Sequence, residues 1–321
     1  MNIVISYFVE GNERLIYEER FKDKANLIFL KDIAKENRTK VLAKSDVILT
    51  WNVPRELAAV EKELFEHLRF VQLLSAGYDH LNFNMFPADC LIAANQGAYA
   101  EPMAEHTIAM ILNLTKRLLI NHAKMKHGEF DQNTESRILK NSVIGIIGFG
   151  SIGKAVANLL RNFGVRIFAI NTSGTTDEDI EFIGTMKDLD YVLNNSDTVL
   201  ISIPLNDKTR NLINKQKLEL MKPNAILINV ARADIINEED LFNHLKSHPD
   251  FLAGIDAWWI EPFRFGEFRL NFPFLDLPNV LGSPHNSAVA TNSLLEGHKR
   301  AVENVLRFLD GKQVEGIIYR N

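Results

Sequence analysis

The segment VIGIIGFGSIG, residues 143–153, decides the fold of this chain. It begins as an apolar run of strand length, breaks into the pattern G-x-G-x-x-G, and takes on helical spacing from Ser151. Gly148 permits a tight turn off the strand, Gly150 lets a pyrophosphate approach the backbone, and Gly153 lets the helix pack on the strand. The pattern predicts a dinucleotide at the start of this helix, and an ordinary strand-to-helix turn is the alternative.

The composition is that of an ordinary globular chain. Of its residues, 46% are hydrophobic and 24% are charged, and the net charge is -5. The length of 321 residues predicts about two domains. Neither a nucleic acid nor a membrane is expected as a partner, because the chain is not basic and has no bilayer-length apolar run. Cys90 is the single cysteine, so a cytoplasmic location is expected, and no signal peptide is recognised. The Cys and His spacing predicts no metal site.

Short apolar segments alternate with helical patterns in two blocks along the chain. Alternation of this kind predicts an α/β protein with two parallel sheets covered by helices. The predicted strands are 3–7, 27–30, 47–51, 70–74 and 91–94 in the first block, and 143–147, 165–170, 198–203, 225–229, 252–255 and 279–281 in the second.

The helices are predicted from apolar spacing and from their end residues. They are a helix that starts near Pro54 and runs through Leu57, Val60 and Leu64, a long apolar helix that begins near Pro102 and ends before Gly128, helices centred near 155, 191, 217 and 243, and a last helix from Ala288 to Leu309 that stops at Gly311. The polar stretch 121–141 is interpreted as an extended arm.

Ionisable residues follow the last three predicted strands of the second block. They are Arg232, then Asp256 with Glu261, then His285. Because ligands of open α/β sheets bind beyond the carboxyl ends of the strands, these residues form a candidate acid/base set. Taken singly, each has a structural interpretation as a surface arginine, a solvated loop acid or a loop histidine with its hydrogen bonds satisfied. Their succession beyond a phosphate motif favours catalysis.

The sequence resembles the D-isomer-specific 2-hydroxyacid dehydrogenases over nearly its whole length. The matching motifs are, in order, Ser75–Asp79, Ala104–Thr107, Gly148–Gly153, Asn229–Arg232, Asp256 with Glu261-Pro262, and Ser283–His285. The resemblance implies two doubly wound parallel-sheet domains with the catalytic cleft between them. The smaller, flavodoxin-like substrate domain is expected at 1–98 and 288–321. The Rossmann nucleotide domain is expected at 99–287, with a dimerisation helix and arm near 102–140.

The implied activity is hydride transfer between NAD or NADP and a D-2-hydroxy acid or 2-oxo acid, of glyoxylate, hydroxypyruvate or phosphoglycerate type, in a homodimer. His285 would exchange the hydroxyl proton, Glu261 would hold its ring and favour the charged form, and Arg232 would bind the carboxylate. Ala76 and Gly77 would complete the substrate site with Arg232 and His285. The cofactor residues implied are Thr107, Gly148, Phe149, Gly150, Ser151, Ile152, Gly153, Asn171, Thr172, Pro204, Thr209, Val230, Ala231 and Asp256.

Three departures from the family pattern leave alternatives open. Asn171-Thr172-Ser173 stands where an acid for the ribose 2′-hydroxyl is expected, so the preference between NAD and NADP is undecided. Ala233 replaces a usual glycine. The aromatic stretch 263–274 either covers the substrate or packs on a neighbouring loop, and packing is favoured.

Two other functions compete with this one. The first is a non-catalytic cofactor-sensing protein on the same fold, because fold alone does not settle function. The second is a formate dehydrogenase, for which Gln is expected where Glu261 stands. Intact Arg232, Glu261 and His285 favour the 2-hydroxyacid enzyme.

Overall fold

The computed structural model describes residues 1–58, 61 and 64–318. The chain folds into two compact units. Unit 1 consists of Met1–Tyr99 and the segment from Ala290 onward, and unit 2 consists of Ala100–Val289. The assignment of a substrate domain to 1–98 and 288–321, and of a nucleotide domain to 99–287, stays a prediction.

The strands are short and mostly buried. All five residues of the strand that precedes the glycine motif are buried, as expected for a parallel sheet covered on both faces. The strands of the described residues are β1 (Asn2–Ile5), β2 (Asn26–Phe29), β3 (Val47–Thr50), β4 (Phe70–Leu73), β5 (Leu91–Ala93), β6 (Val143–Ile147), β7 (Arg166–Ile170), β8 (Phe182–Gly184), β9 (Thr198–Ile201), β10 (Ile226–Asn229), β11 (Leu252–Ile255) and β12 (Val280–Gly282).

The strands form one parallel sheet in each unit. The five-stranded sheet of unit 1 has the order β2-β1-β3-β4-β5, which is the flavodoxin-like order. The seven-stranded sheet of unit 2 has the order β12-β11-β10-β9-β6-β7-β8, which is the Rossmann order extended by one strand. The predicted fold class, α/β with two parallel sheets, is confirmed.

The predicted strands need one addition. The prediction of six strands in the second block missed β8, because three largely half-buried residues give too short a pattern. β6 and β11 have their predicted bounds, and the other predicted strands differ from the structure by one or two residues at one or both ends.

The helices lie between the strands. They are α1 (Gly11–Phe21), α2 (Lys35–Leu42), α3 (Val53–Glu56), α4 (Ala100–Lys116), α5 (Leu118–Lys126), α6 (Ser151–Leu160), α7 (Leu189–Asn195), α8 (Lys215–Leu220), α9 (Glu238–Ser247), α10 (Pro262–Phe265) and α11 (Ser293–Leu309). Within the described part of the chain, none of them is both long and apolar enough to cross a membrane.

Three helix predictions were wrong in extent. The helix near Pro54 ends at Glu56, because Leu57 turns to an extended conformation; Val60 lies outside the described residues. The long apolar helix is divided into α4 and α5, because Arg117 between them has a left-handed φ of 56°. The last helix begins at Ser293 rather than at 288, following Asn292 with φ 62°.

Candidate active site

The glycine turn after β6 has the geometry that its sequence predicts. Gly148 has φ 104°, and a Cβ placed on it would lie 2.8 Å from the carbonyl of Ser202. A Cβ on Gly153 would lie 2.5 Å from the carbonyl oxygen of Gly148, so α6 can approach β6 this closely only with glycine there. The predicted roles of these two glycines in the turn and in the packing are confirmed.

The residues at the start of α6 fit a pyrophosphate. A Cβ on Gly150 would meet nothing within 4 Å, so the space beside this backbone is open. Gly150 is also the N-cap residue of α6, and because glycine has no side chain, it does not cap the first N–H groups of the helix. The N–H groups of Ser151 and Ile152 therefore lie in the first turn, where anions bind. Phe149 is 2% exposed and packs in the core, so only its backbone can take part.

All predicted site residues of unit 2, except Thr107 on α4, follow carboxyl ends of one parallel sheet. The cofactor candidates other than Thr107 follow β6, β7 and β9, and also include Val230 and Ala231 after β10 and Asp256 after β11. The acid/base candidates follow β10, β11 and β12. The strand ends are level, since Ile147 pairs with Ile170 and Ile201, and Ile255 pairs with Asn229 and Gly282. One edge of the sheet therefore presents both sets.

Several cofactor candidates use their side chains within their own segments. Asn171 Oδ1 accepts from the backbone N–H of Gly174 at 2.7 Å. The Thr209 hydroxyl donates to the carbonyl of Pro204 and accepts from the N–H of Asn206, both at 2.8 Å. The Thr107 side chain is fully buried and donates to the carbonyl of its own helix one turn earlier. Contact of these residues with a cofactor, like that of Thr172, stays a prediction.

His285 and Glu261 form a direct pair. Nδ1 of His285 lies 2.8 and 2.9 Å from the two carboxylate oxygens of Glu261. Glu261 is 4% exposed, whereas the His285 side chain is 29% exposed. An ionised carboxylate can only accept, so Nδ1 carries a proton, and Nε2 is left as the nitrogen that can exchange a proton with a ligand.

Asp256, predicted to contact the cofactor, lies at the centre of the loop that carries His285. Its side chain is fully buried. The carboxylate accepts from the Ser283 hydroxyl at 2.6 Å and from the backbone N–H groups of Asn286 and Ser287 at 3.1 and 3.2 Å. Its observed contacts therefore shape the loop after β12, and its contact with the cofactor stays a prediction.

Arg232 is held by an asparagine that is not among the predicted site residues. Asn229, the last residue of β10, donates from Nδ2 to the carbonyl of Arg232 at 3.0 Å. Its Oδ1 accepts from the N–H of Ala231 at 3.0 Å, and Nη1 of Arg232 donates to the carbonyl of Ala231 at 2.9 Å. Two features of the sequence point to this role: Asn229 is a polar residue that ends an apolar strand, and it begins the matching motif Asn229–Arg232. Val230 is 1% exposed and Ala233 is 3% exposed.

The substrate candidates of unit 1 lie after β4. Ala76 and Gly77 are half-buried, and the Ser75 hydroxyl donates to the carbonyl of Gly77 at 2.7 Å. The turn is therefore closed by its own serine, and its role in substrate binding stays a prediction.

The aromatic stretch 263–274 packs mainly through its second half. Phe274 is fully buried and stacks on Trp259 with ring centroids 5.3 Å apart, and Phe272 stacks on Phe242 at 5.1 Å. Phe265, in contrast, is 54% exposed. The packing that the sequence favoured is seen for the second half of the stretch.

No metal centre is found at this edge. Among residues 1–58, 61 and 64–318, no three His, Cys, Asp or Glu side chains are grouped so that they could hold a metal ion. A parallel sheet with a glycine-rich turn that fits a pyrophosphate, and with a Glu–His pair at the same edge, is typical of dinucleotide-dependent oxidoreductases.

Comparison with known proteins narrows this class. The family described as "D-isomer specific 2-hydroxyacid dehydrogenase, NAD binding domain" matches residues 108–287. A glyoxylate/hydroxypyruvate reductase B of Pectobacterium carotovorum is 30% identical over 81% of this chain and 82% of its own. A hydroxypyruvate reductase of Thermotoga maritima is 26% identical over 86% of this chain and 89% of its own.

A solved structure supports the same relation. The D-lactate dehydrogenase from Aquifex aeolicus, complexed with NAD and lactic acid, superimposes with a TM-score of 0.76 at 26% identity, covering 97% of this chain and 96% of its own. The chain belongs to the D-isomer specific 2-hydroxyacid dehydrogenase family. It is an oxidoreductase with NAD or NADP as cofactor, which disfavours the non-catalytic alternative.

Proposed function

We propose that this protein reduces a small 2-oxo acid to the D-2-hydroxy acid with NADH or NADPH, using Arg232, Glu261 and His285. The observation that carries the proposal is the Glu261–His285 pair, with Nδ1 held at 2.8 Å and Nε2 left for a ligand. The names of the relatives, which include glyoxylate and hydroxypyruvate reductases, support a substrate of that size. A phosphoglycerate-type substrate remains a further candidate.

Each of the three residues has one chemical task. Nε2 of His285 donates a proton to the carbonyl oxygen of the 2-oxo acid, which becomes the hydroxyl of the product. Glu261 keeps the ring oriented and stabilises its positive charge. The planar donor fork of Arg232 suits the substrate carboxylate and the charge that develops on the carbonyl oxygen. A bound reduced nicotinamide supplies the hydride that the carbonyl carbon receives.

A substrate panel tests the proposal. NADH and NADPH are each mixed with glyoxylate, hydroxypyruvate, phosphohydroxypyruvate or pyruvate, and the loss of reduced-cofactor absorbance is followed. We expect turnover with at least one of the unphosphorylated acids. No turnover with any acid and either cofactor would contradict the proposal, and reduction of NAD by formate would favour the formate dehydrogenase alternative instead.

A homodimer and a cytoplasmic location are parts of the same proposal. The dimer is supported by five large apolar side chains on α5 and the segment after it that are each at least 50% exposed: Leu118, Leu119, Met125, Phe130 and Ile138. The location is supported by the single cysteine, Cys90. Light scattering should give twice the chain mass of 36.5 kDa, and Phe130→Glu should give the monomer. A wild type that is monomeric at micromolar concentration would contradict the dimer.

A further inference from the structure

The loop that carries His285 has a backbone conformation that needs support. His285 has φ 49°, in the left-handed region that residues with a Cβ rarely adopt. Such conformations are energetically unfavourable and persist only where the surroundings impose them. The N–H of His285 donates to the backbone carbonyl of Asp256 at 2.8 Å, and the next two N–H groups donate to the Asp256 carboxylate. Asp256 therefore sets the conformation of this loop.

The Asp256 carboxylate is itself held by a side chain. It is fully buried, and a buried charge is tolerated only with several hydrogen bonds or a counter-charge. The Ser283 hydroxyl donates to it at 2.6 Å. Because an ionised carboxylate has no proton to give, the one proton of the Ser283 hydroxyl is used in this bond.

A histidine from another part of the chain completes the network. Nε2 of His106, on α4, lies 3.0 Å from the Ser283 hydroxyl and 3.8 Å from the Asp256 carboxylate. Since the Ser283 proton points to Asp256, the Ser283 oxygen must accept from His106. The proton of a neutral His106 ring is therefore on Nε2.

We propose that His106 is a positioning residue for His285. Its Nε2–H fixes the Ser283 hydroxyl, Ser283 fixes the Asp256 carboxylate, and Asp256 holds the backbone of His285 in its left-handed conformation. The proposal rests on the proposed role of His285 as the proton donor. A displacement of a reacting group by about 1 Å can cost about a hundredfold in rate, so a loop that relaxes by that distance would lower kcat measurably.

Two substitutions at the same position separate positioning from bulk. His106→Gln places an amide N–H close to the position of Nε2, whereas His106→Leu fills similar space and donates nothing. We expect kcat to fall about 10- to 100-fold in His106→Leu and to stay within about threefold of the wild type in His106→Gln. His67→Leu, at an exposed histidine of unit 1, is the matched control and should leave kcat unchanged.

A double substitution tests whether Ser283 is the link. Ser283→Ala alone should lower kcat about as much as His106→Leu. The double variant should fall no more than about twofold below either single variant, because both remove the same bond chain. Multiplied effects in the double variant would mean that the two residues act independently, and would overturn the proposal.

A spectroscopic arm keeps the inference testable if the proposed reaction fails. Long-range ¹H–¹⁵N spectra of histidine-labelled protein report which ring nitrogens carry protons. We expect a proton on Nε2 of His106, and a shift of the His285 ring signals in His106→Leu that His106→Gln and His67→Leu do not produce. A His106 ring with its proton on Nδ1 alone, or His285 signals unmoved by His106→Leu, would overturn the proposal. An inactive wild type with the expected spectra would instead fail only the proposed function.

Discussion

Among the described residues, His285 of unit 2 and His298 of unit 1 each lie within 4 Å of a glutamate, but their burial and their hydrogen bonds differ. Nδ1 of His285 is 2.8 Å from Glu261, and the side chain is 29% exposed. Nε2 of His298 is 3.7 Å from Glu13, and that side chain is 5% exposed. Nδ1 of His298 is hydrogen-bonded to the Tyr17 hydroxyl, which is hydrogen-bonded in turn to the Tyr7 hydroxyl.

The two environments differ in whether the histidine ring can act as a proton donor. Burial lowers the pKa of His298 to about 4, so His298 is neutral at neutral pH and cannot serve as a proton donor there. The His285 side chain is 29% exposed, and Glu261 holds Nδ1, which leaves Nε2 for a ligand. A nearby acid is therefore not enough to make a catalytic histidine; an accessible nitrogen and direct contact with the acid are required as well.

The largest expected effect separates the two histidines by activity. His285→Gln should lower kcat for 2-oxo acid reduction about 10²- to 10⁴-fold, the usual contribution of a positioned acid/base. His298→Gln should stay within about threefold, because the ring and polar contacts seen for His298 are with Tyr7, Tyr17 and Glu13 of unit 1, away from the proposed acid/base residues. Equal losses in the two variants would remove the distinction between them.

The next effect concerns the charged partner of the substrate. Arg232→Lys keeps the charge but loses the planar fork, so kcat/KM should fall about a hundredfold, or about 2.7 kcal/mol. Asn229 should still hold the loop through its bond to the backbone carbonyl of residue 232, although the substitution removes the Nη1 donor to the Ala231 carbonyl. Steady-state kinetics checks the loss, and a change below about threefold would mean that a point charge is sufficient.

A smaller effect tests the neutral histidine through stability. The folded-state pKa of His298 is lowered from 6.5 to about 4, so between these pH values the unfolded chain binds the proton and the folded chain does not. The contribution of neutral His298 to the free energy of unfolding is therefore fully present above pH 6.5 and is lost as the pH falls toward 4. Between about pH 7 and pH 4.5 this amounts to about 2 kcal/mol of unfolding free energy.

Urea unfolding at both pH values measures this loss. In His298→Gln the acid-induced loss should be smaller than in the wild type by that amount. His244, whose pKa burial also lowers to about 4, should still contribute its own loss and serves as the internal control. An unchanged pH dependence in His298→Gln would mean that His298 is not neutral in the folded protein.

The smallest expected effect is on the choice of cofactor. Asn171→Asp keeps the oxygen that accepts from Gly174 and adds a negative charge after β7. Repulsion of a 2′-phosphate should lower kcat/KM for NADPH about tenfold relative to NADH. The ratio for the two cofactors at one saturating 2-oxo acid checks this. A ratio that does not move would place the ribose away from Asn171.

The glycine turn and the acid/base residues could be predicted from the sequence, because each is marked by the residues directly around it. Gly148 and Gly153 are recognisable because a strand precedes them and a helix follows, and Arg232, Glu261 and His285 each follow a strand within a few residues. The break at Arg117 could not be predicted, since neither Gly nor Pro marks it. The bond between His106 and Ser283 joins residues 177 positions apart, and no periodicity reports a contact of that kind.

The most direct measurement of the central claim follows the hydrogen itself. NADH or NADPH with deuterium at both C4 positions of the nicotinamide is incubated with the 2-oxo acid that the panel selects. The product is examined by mass spectrometry and, where its C2 is a stereocentre, by chiral chromatography. We predict a 2-hydroxy acid that carries deuterium at C2 and that has the D configuration wherever C2 is a stereocentre. A product without deuterium at C2, or a product of the L configuration, would contradict the account.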